Sequence, residues 1–196
     1  MSLRERRLSR TRRKQFNYFS YSLCYLIDVI TLRIYKFDID NSKQLATMSY
    51  IIKGHAPQKR HLLQFDGGAE PNPGRAAGGA ILFSPDGQPL FERAEFIPHA
   101  TNNEAEYTGL LVGLQEAAAL GVRALEIQGD SNLVVQQVAG KWKISAANLK
   151  GFHAQVIAAL VAFEYVAIRH IYRDQNTDAD RIATEGITDG ESFIRN

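Results

Sequence analysis

From His61 onward the residue pattern predicts an α/β domain: a mixed five-stranded sheet, three antiparallel strands and then crossover strands, flanked by helices. Three observations predict it. Three short apolar runs separated by turn residues come first, as in a meander. Segments with helical spacing then alternate with strand-like runs, giving the order βββαβααβα. A chain of 196 residues that is 45% hydrophobic can bury one such core and still carry an appendage.

The first strand is expected at His61–Phe65, ending at Asp66, where the chain runs into Gly67-Gly68 and then Pro71-Asn72-Pro73-Gly74. A carboxylate leaving an apolar run at a turn is expected to be presented rather than buried. The next strands, Ala76–Phe83 and Leu90–Ile97, are joined by Ser84-Pro85-Asp86-Gly87-Gln88, whose Pro-Asp-Gly core is strong turn chemistry. A helix follows over Glu104–Leu120, capped by Asn102 or Asn103 and stopped by Gly121. Ala124–Gln128 reads as a short strand and Leu133–Val138 as a short helix. From Asn148 to Phe163, the apolar residues Leu149, Phe152, Val156, Ala159, Leu160 and Phe163 share one helical face. Tyr165–Ile171 alternates as a strand, and Thr177–Glu185 is the last helix. The domain is thus placed at 61–190, with 191–196 as a C-terminal tail.

Residues 1–60 read as a flexible basic extension. They carry 13 Lys/Arg against 4 Asp/Glu, whereas residues 61–196 carry 10 against 17, so a net +2 hides segments of +9 and −7. The extension is either a solvated tail or a handle for a polyanion, since cations that neutralise phosphates release counterions. Its first sixteen residues superficially resemble a transit peptide. The apolar stretch Tyr18 to Tyr35 is broken by Asp28 and Arg33, too early for a membrane span, and no membrane association is expected. Met48 is an alternative start. The single Cys24 excludes an internal disulfide and suits a reducing compartment, so a cytoplasmic protein is expected.

Acidic residues stand at four element ends: Asp66, the Glu104/Glu106 pair, Asp130 and the Asp178/Asp180 pair. Hard divalent cations take oxygen ligands, and two such ions can activate water and relieve charge on a phosphodiester. Glu104 and Glu106 point about 200° apart on a helix, so only one can face the sheet. Glu106 shares its stripe with Gly109 and Gly113, which lets a helix pack closely, and is the inward candidate; Glu104 complements the helix N-terminus. Asp180 shares a face with Ala183 and Thr184 and is preferred to Asp178. Asp130 alone would read as a local turn or cap residue; with the other acids it reads as a ligand. Lys141-Trp142-Lys143 sets an aromatic between two cations, as phosphate contacts plus a flat platform would require, or else Trp142 is a lid on the core.

Leu62 to Gly74 around Asp66, Asn102-Asn103-Glu104-Ala105-Glu106-Tyr107, Gln128-Gly129-Asp130-Ser131-Asn132 and Asn176-Thr177-Asp178-Ala179-Asp180-Arg181 together resemble the ribonuclease H family, type 1. The subgroup is the one with Asn-Asn-x-Ala-Glu-Tyr and Asn-x-x-Ala-Asp motifs, and the resemblance covers Leu62 to Gly186. It implies a ribonuclease H-like fold and cleavage of the RNA strand of RNA/DNA hybrids, leaving 5′-phosphate and 3′-hydroxyl ends. It further implies a monomer using two Mg²⁺ ions, with Mn²⁺ able to substitute. Asp66 would bridge the two ions, Glu106 and Asp130 would complete the site beside the leaving group, and Asp180 would serve the ion carrying the attacking water. Asn72, Asn102 and Asn103 resemble the family's minor-groove contacts, and Thr101 the threonine of its DNA-phosphate pocket. Arg173 matches an arginine that aids product release, or is a surface ion-pair partner. The chain departs from the pattern at Pro71 (usually glycine), His99 (near a usual arginine) and Tyr172 (where proline is common). Rival readings are an inactive binding module of the same fold, which a missing carboxylate would favour, and another nuclease or strand-transfer enzyme of the superfamily.

Overall fold

A computed structural model describes residues 49–196; the expectations for residues 1–48, including Cys24, Tyr18 to Tyr35 and the start at Met48, lie outside them. The strands are β1 (Ser49–Lys53), β2 (His61–Glu70), β3 (Gly74–Phe83), β4 (Pro89–Ala100), β5 (Ala124–Gly129), β6 (Tyr165–His170) and β7 (Phe193–Arg195). The helices are α1 (Asn102–Ala119), α2 (Asn132–Val138), α3 (Ala147–Ala159) and α4 (Thr177–Asp189). The sheet order is β1-β6-β5-β2-β3-β4-β7. β2, β3 and β4 form the antiparallel meander, and β5 and β6 join parallel to β2 and to each other through helical crossovers.

The sheet has seven strands where five are expected, because both edges gain a short strand. Ser49–Lys53, assigned from sequence to the flexible extension, pairs antiparallel with β6 in the register Ser49↔Arg169 and Tyr50↔Ile168. Ile52 enters the core and Tyr50 packs on its margin. Phe193–Arg195, assigned to a tail, pairs with β4, and Phe193 packs against the cluster of Ile81, Ala94, Ala179 and Ile182. In both cases an edge of unpaired N–H and C=O groups recruits a short neighbouring segment with one inward apolar side chain. Ion pairs hold the second addition: Arg195 lies 2.6 Å from Glu185 and 3.5 Å from Glu92, and Arg181 also pairs with Glu92.

Glycines decide how the layers meet. A Cβ on Gly78 would collide with Gly109 of α1, whereas one on the next residue, Gly79, would meet the Ala183 backbone nitrogen of α4 at 2.6 Å. Successive residues of a strand face opposite sides, so α1 and α4 sit on opposite faces of the sheet, each in backbone contact with it. Gly67 faces α1 in the same way, where a Cβ would strike the backbone of Ala105 and Glu106. Strand β2 therefore does not end at Asp66. It continues to Glu70 because Gly67 and Gly68 keep extended pairing with β3 while admitting the helices. The main core lies on the α1 side, with Leu63, Phe65, Leu110, Leu114, Ile127, Val156, Phe163 and Ile168 among its members. No helix among the described residues is long and apolar enough to cross a membrane.

Candidate active site

The pairing of β2 with β5 ends at Phe65↔Gly129, so Asp66 and Asp130 each follow the last paired residue. This is the carboxyl end of the parallel strands, where open α/β sheets form their crevices. The close approach of α1 to Gly67 adds Glu106 from near the start of the helix. Carboxylate oxygens of Asp66, Glu106 and Asp130 all lie within 4.8 Å of one another.

The expectation that Asp66 is solvent-presented is overturned: it is 7% exposed. The packing of α1 and α4 on either side of the glycine pair encloses it. Burial, reinforced by the neighbouring Asp130 carboxylate, pushes the Asp66 carboxyl up to about 7, although the Gly67 N–H donates to its Oδ1 at 2.8 Å. Burial likewise raises Glu106 well above the ordinary carboxylate range, with Asp66 and Asp130 adding repulsion. Glu106 Oε2 is fully withdrawn from solvent and has no hydrogen-bond partner. An orphaned buried oxygen beside two further carboxylates is the donor set a hard divalent cation fits, and charge neutralisation there would offset the cost of crowding three acids.

Glu104 is engaged elsewhere. Its Oε2 accepts from the Thr101 backbone N–H and from the Thr101 hydroxyl, both at 2.8 Å, while Thr101 Oγ1 accepts from the Glu104 N–H at 3.4 Å. This reciprocal box makes Thr101 the N-cap of α1, in place of the expected Asn102 or Asn103. Asn148 of α3 donates to Glu104 Oε1 at 3.0 Å, and these hydrogen bonds, the Thr101 backbone first, hold its carboxyl below its usual range.

Asp180 stands outside the group of three. It lies on the first turn of α4, where Arg173 donates to its Oδ1 at 2.7 Å. Its charge is still felt by Asp66. Of the two expectations for Arg173, the ion pair is the one present. Asp130 does not act as a cap: its Oδ1 accepts from Asn176 Nδ2 at 3.0 Å, and its carbonyl meets His170 Nε2 at 3.0 Å.

Asn176 has no assigned role in the sequence reading. Fully buried, it also donates to the Phe65 carbonyl at 2.9 Å, so one amide ties the residue before Asp66 to the Asp130 carboxylate. An asparagine opening a helix looks like a cap, yet its side chain makes no capping bond. Its place in the Asn-x-x-Ala-Asp motif was the one available signal.

Among the expected substrate residues, Asn102 Oδ1 accepts from the Ala69 N–H at 2.7 Å and Asn72 Oδ1 from the Asn102 N–H at 3.1 Å. The two amides join the β2–β3 turn to α1, and what each still offers a substrate is its NH₂ donors. Asn103 is exposed beside them. Lys141 and Trp142 close α2 through N–H bonds to the Gln136 carbonyl at 2.8 and 3.1 Å. Trp142 is 49% exposed, so it is no lid on the core. Lys141 lies 5.5 Å over the Tyr50 ring of β1, and Lys143 is exposed.

Residues 64–186 match the family model described as reverse transcriptase-like. Ribonuclease HI of Halobacterium salinarum is 38% identical over 125 residues, 64% of this chain and 63% of that protein. The bifunctional protein Rv2228c of Mycobacterium tuberculosis is 37% identical over 127 residues, 64% of this chain and 35% of that protein, so the chain spans less than two thirds of either curated relative. The crystal structure of RNase H1 from H. salinarum superposes with a TM-score of 0.64 at 38% identity, covering 66% of this chain and 98% of that one. The N-terminal RNase H domain of Rv2228c gives a TM-score of 0.65 at 35% identity, covering 67% and 96%. LC11-RNase H1, solved in complex with an RNA/DNA hybrid, gives 0.64 at 29% identity, covering 67% and 99%. A family match over more than half the chain, and 38% identity across nearly all of a solved RNase H1, lead to one conclusion: the chain belongs to the ribonuclease H family, type 1.

Proposed function

We propose that this chain is a divalent-metal-dependent endoribonuclease that cuts the RNA strand of RNA/DNA hybrids. The observation that carries the reading is the convergence of Asp66, buried, with the half-buried Glu106 and Asp130, together with the orphaned Glu106 Oε2. Its family membership and the hybrid-bound LC11-RNase H1 support the choice of substrate.

In this reading Asp66, Glu106 and Asp130 would hold one Mg²⁺ or Mn²⁺ ion, and Asp66 with Asp180 a second. Ions bound there supply the Lewis acidity that activates water and neutralises the phosphodiester. Water adds to phosphorus and the P–O3′ bond breaks; the departing O3′ takes a proton, leaving 3′-hydroxyl and 5′-phosphate ends. Asn176 holds the Asp130 carboxylate in one orientation through its Nδ2. The NH₂ groups of Asn72 and Asn102, with Asn103, donate to 2′-hydroxyls and base edges in the minor groove. Thr101 and Lys141-Trp142-Lys143 contact the phosphate backbone and sugar face. Arg173 holds Asp180 in the resting enzyme and exchanges that partner for the product phosphate as it leaves. A monomer suffices, since every proposed ligand comes from one chain, and the cytoplasm suits it.

The test is cleavage of labelled hybrid, duplex RNA, duplex DNA and single-stranded RNA with and without Mg²⁺. Metal-dependent cutting of the hybrid alone is expected. Equal cutting of duplex RNA would remove the asparagines' assignment, and metal-independent activity would remove the mechanism.

A further inference from the structure

Tyr172 is 52% exposed, yet it is tethered on several sides. Its ring stands edge-on to His170, with centroids 6.0 Å apart and planes at 79°. That imidazole is fixed in turn by the Asp130 carbonyl at 3.0 Å. The Tyr172 N–H reaches Gln175 Oε1 at 3.4 Å, and the next residue, Arg173, is bonded to Asp180 at 2.7 Å. Tyr172 thus lies in the chain segment between His170, which meets the Asp130 carbonyl, and Arg173, which is bonded to Asp180. The backbone does not require a ring here. At φ −80 and ψ 156 the residue is in ordinary extended geometry, which many side chains, proline included, adopt freely. Burial does not explain it either, since about half of the residue remains in water.

We infer that Tyr172 is a substrate-binding residue whose exposed ring packs on a ribose of the strand being cut and so sets that strand's register over the carboxylates. In a hybrid duplex the bases stack on one another, so the flat apolar surface open to an outside ring is sugar. A half-exposed ring already braced by a perpendicular neighbour offers its open surface at little entropic cost. Such packing is indifferent to sequence, so it contributes affinity and register rather than base preference. The inference rests on the hybrid-ribonuclease reading above.

The test uses the full chain. Hybrid affinity is measured by fluorescence anisotropy in a Glu106→Gln background, and kinetics and cut positions in the otherwise wild-type protein. Tyr172→Ala is expected to weaken hybrid binding by roughly three- to tenfold and to raise KM by the same factor. Its kcat should stay within about twofold of wild type, and its cut positions along a defined hybrid should spread. Tyr172→Phe, which keeps the ring, should match wild type in all three, and thermal melts should show every variant folded. Unchanged affinity and cut positions in Tyr172→Ala would overturn the inference, as would Tyr172→Phe being equally impaired. So would a loss confined to kcat, which would make Tyr172 a support for Arg173. If the wild type itself fails to cut hybrid with Mg²⁺, the underlying reading falls instead, and that outcome is distinct.

Discussion

Glu104 and Glu106 differ by two positions and by everything in their surroundings. One is surrounded by donors and held as a carboxylate; the other is half-buried, with one oxygen withdrawn from solvent and unpartnered. Glu106→Gln is therefore expected to abolish cleavage while the fold persists, because it removes a proposed ligand and keeps the side chain's size. Glu104→Gln should keep most activity and lose on the order of 1 kcal/mol of stability, the usual worth of a cap. Steady-state kinetics and urea melts on both variants measure this, and a reversed order would show the helix face misassigned. The same crowding predicts a pH dependence. Asp66 is raised from 3.8 to about 7 in the folded protein, so there the folded state holds a proton that the unfolded state has released. Unfolding then releases a proton, and metal-free stability falls as pH rises from about 4 to about 7. Glu106 shifts in the same direction. Melting temperatures across that range should decline without metal, and Mg²⁺ should flatten the decline.

At the scale of elements, glycines bring the start of α1 into backbone contact with the sheet, while Leu110 and Leu114 pack their side chains in the core. A Cβ on Gly109 would strike the Asp66 carbonyl and meet the Gly79 nitrogen at 3.0 Å, and both are backbone atoms that cannot rotate away. Gly109→Ala should thus push the first turns of α1 outward, costing about 1–3 kcal/mol by overpacking and separating Glu106 from Asp66. Its activity should fall further than its melting temperature suggests, and metal affinity measured by calorimetry should fall with it. Gly151 of α3 provides the control: a Cβ there meets nothing, so Gly151→Ala should be neutral or stabilising.

For the whole molecule, the sheet edges matter most. A chain beginning at Met48 keeps β1, whereas one beginning at His61 strips it from β6 and exposes that edge. The Met48 form should fold and cleave with nearly unchanged kcat, a higher KM and a flatter salt dependence, because the basic charge removed releases fewer counterions on binding. The His61 form should melt lower and aggregate. Thermal melts and salt-dependent kinetics separate the two, and a Met48 form with unaltered salt dependence would deny the extension any role in holding a polyanion.

Periodicity and turn chemistry are local, which is why the meander, the crossover helices and their order were legible from His61 onward. The choice of Glu106 over Glu104 as the inward residue was legible for the same reason: it follows from the helical turn and the glycine stripe. Edge strands β1 and β7 were not, because five- and three-residue segments carry too little pattern and gain strand character only from the neighbour they pair with. Two features of the site also depend on distant segments. Asp66 is buried because α1 and α4 close on Gly67 and Gly68 from opposite faces. Asn176 acquires its role because its amide reaches Phe65 and Asp130, 111 and 46 positions away. Local chemistry in the sequence determined which residue types stand at the element ends; only the packing of two helices on a glycine-lined sheet decided which of them meet, and how deeply they are buried.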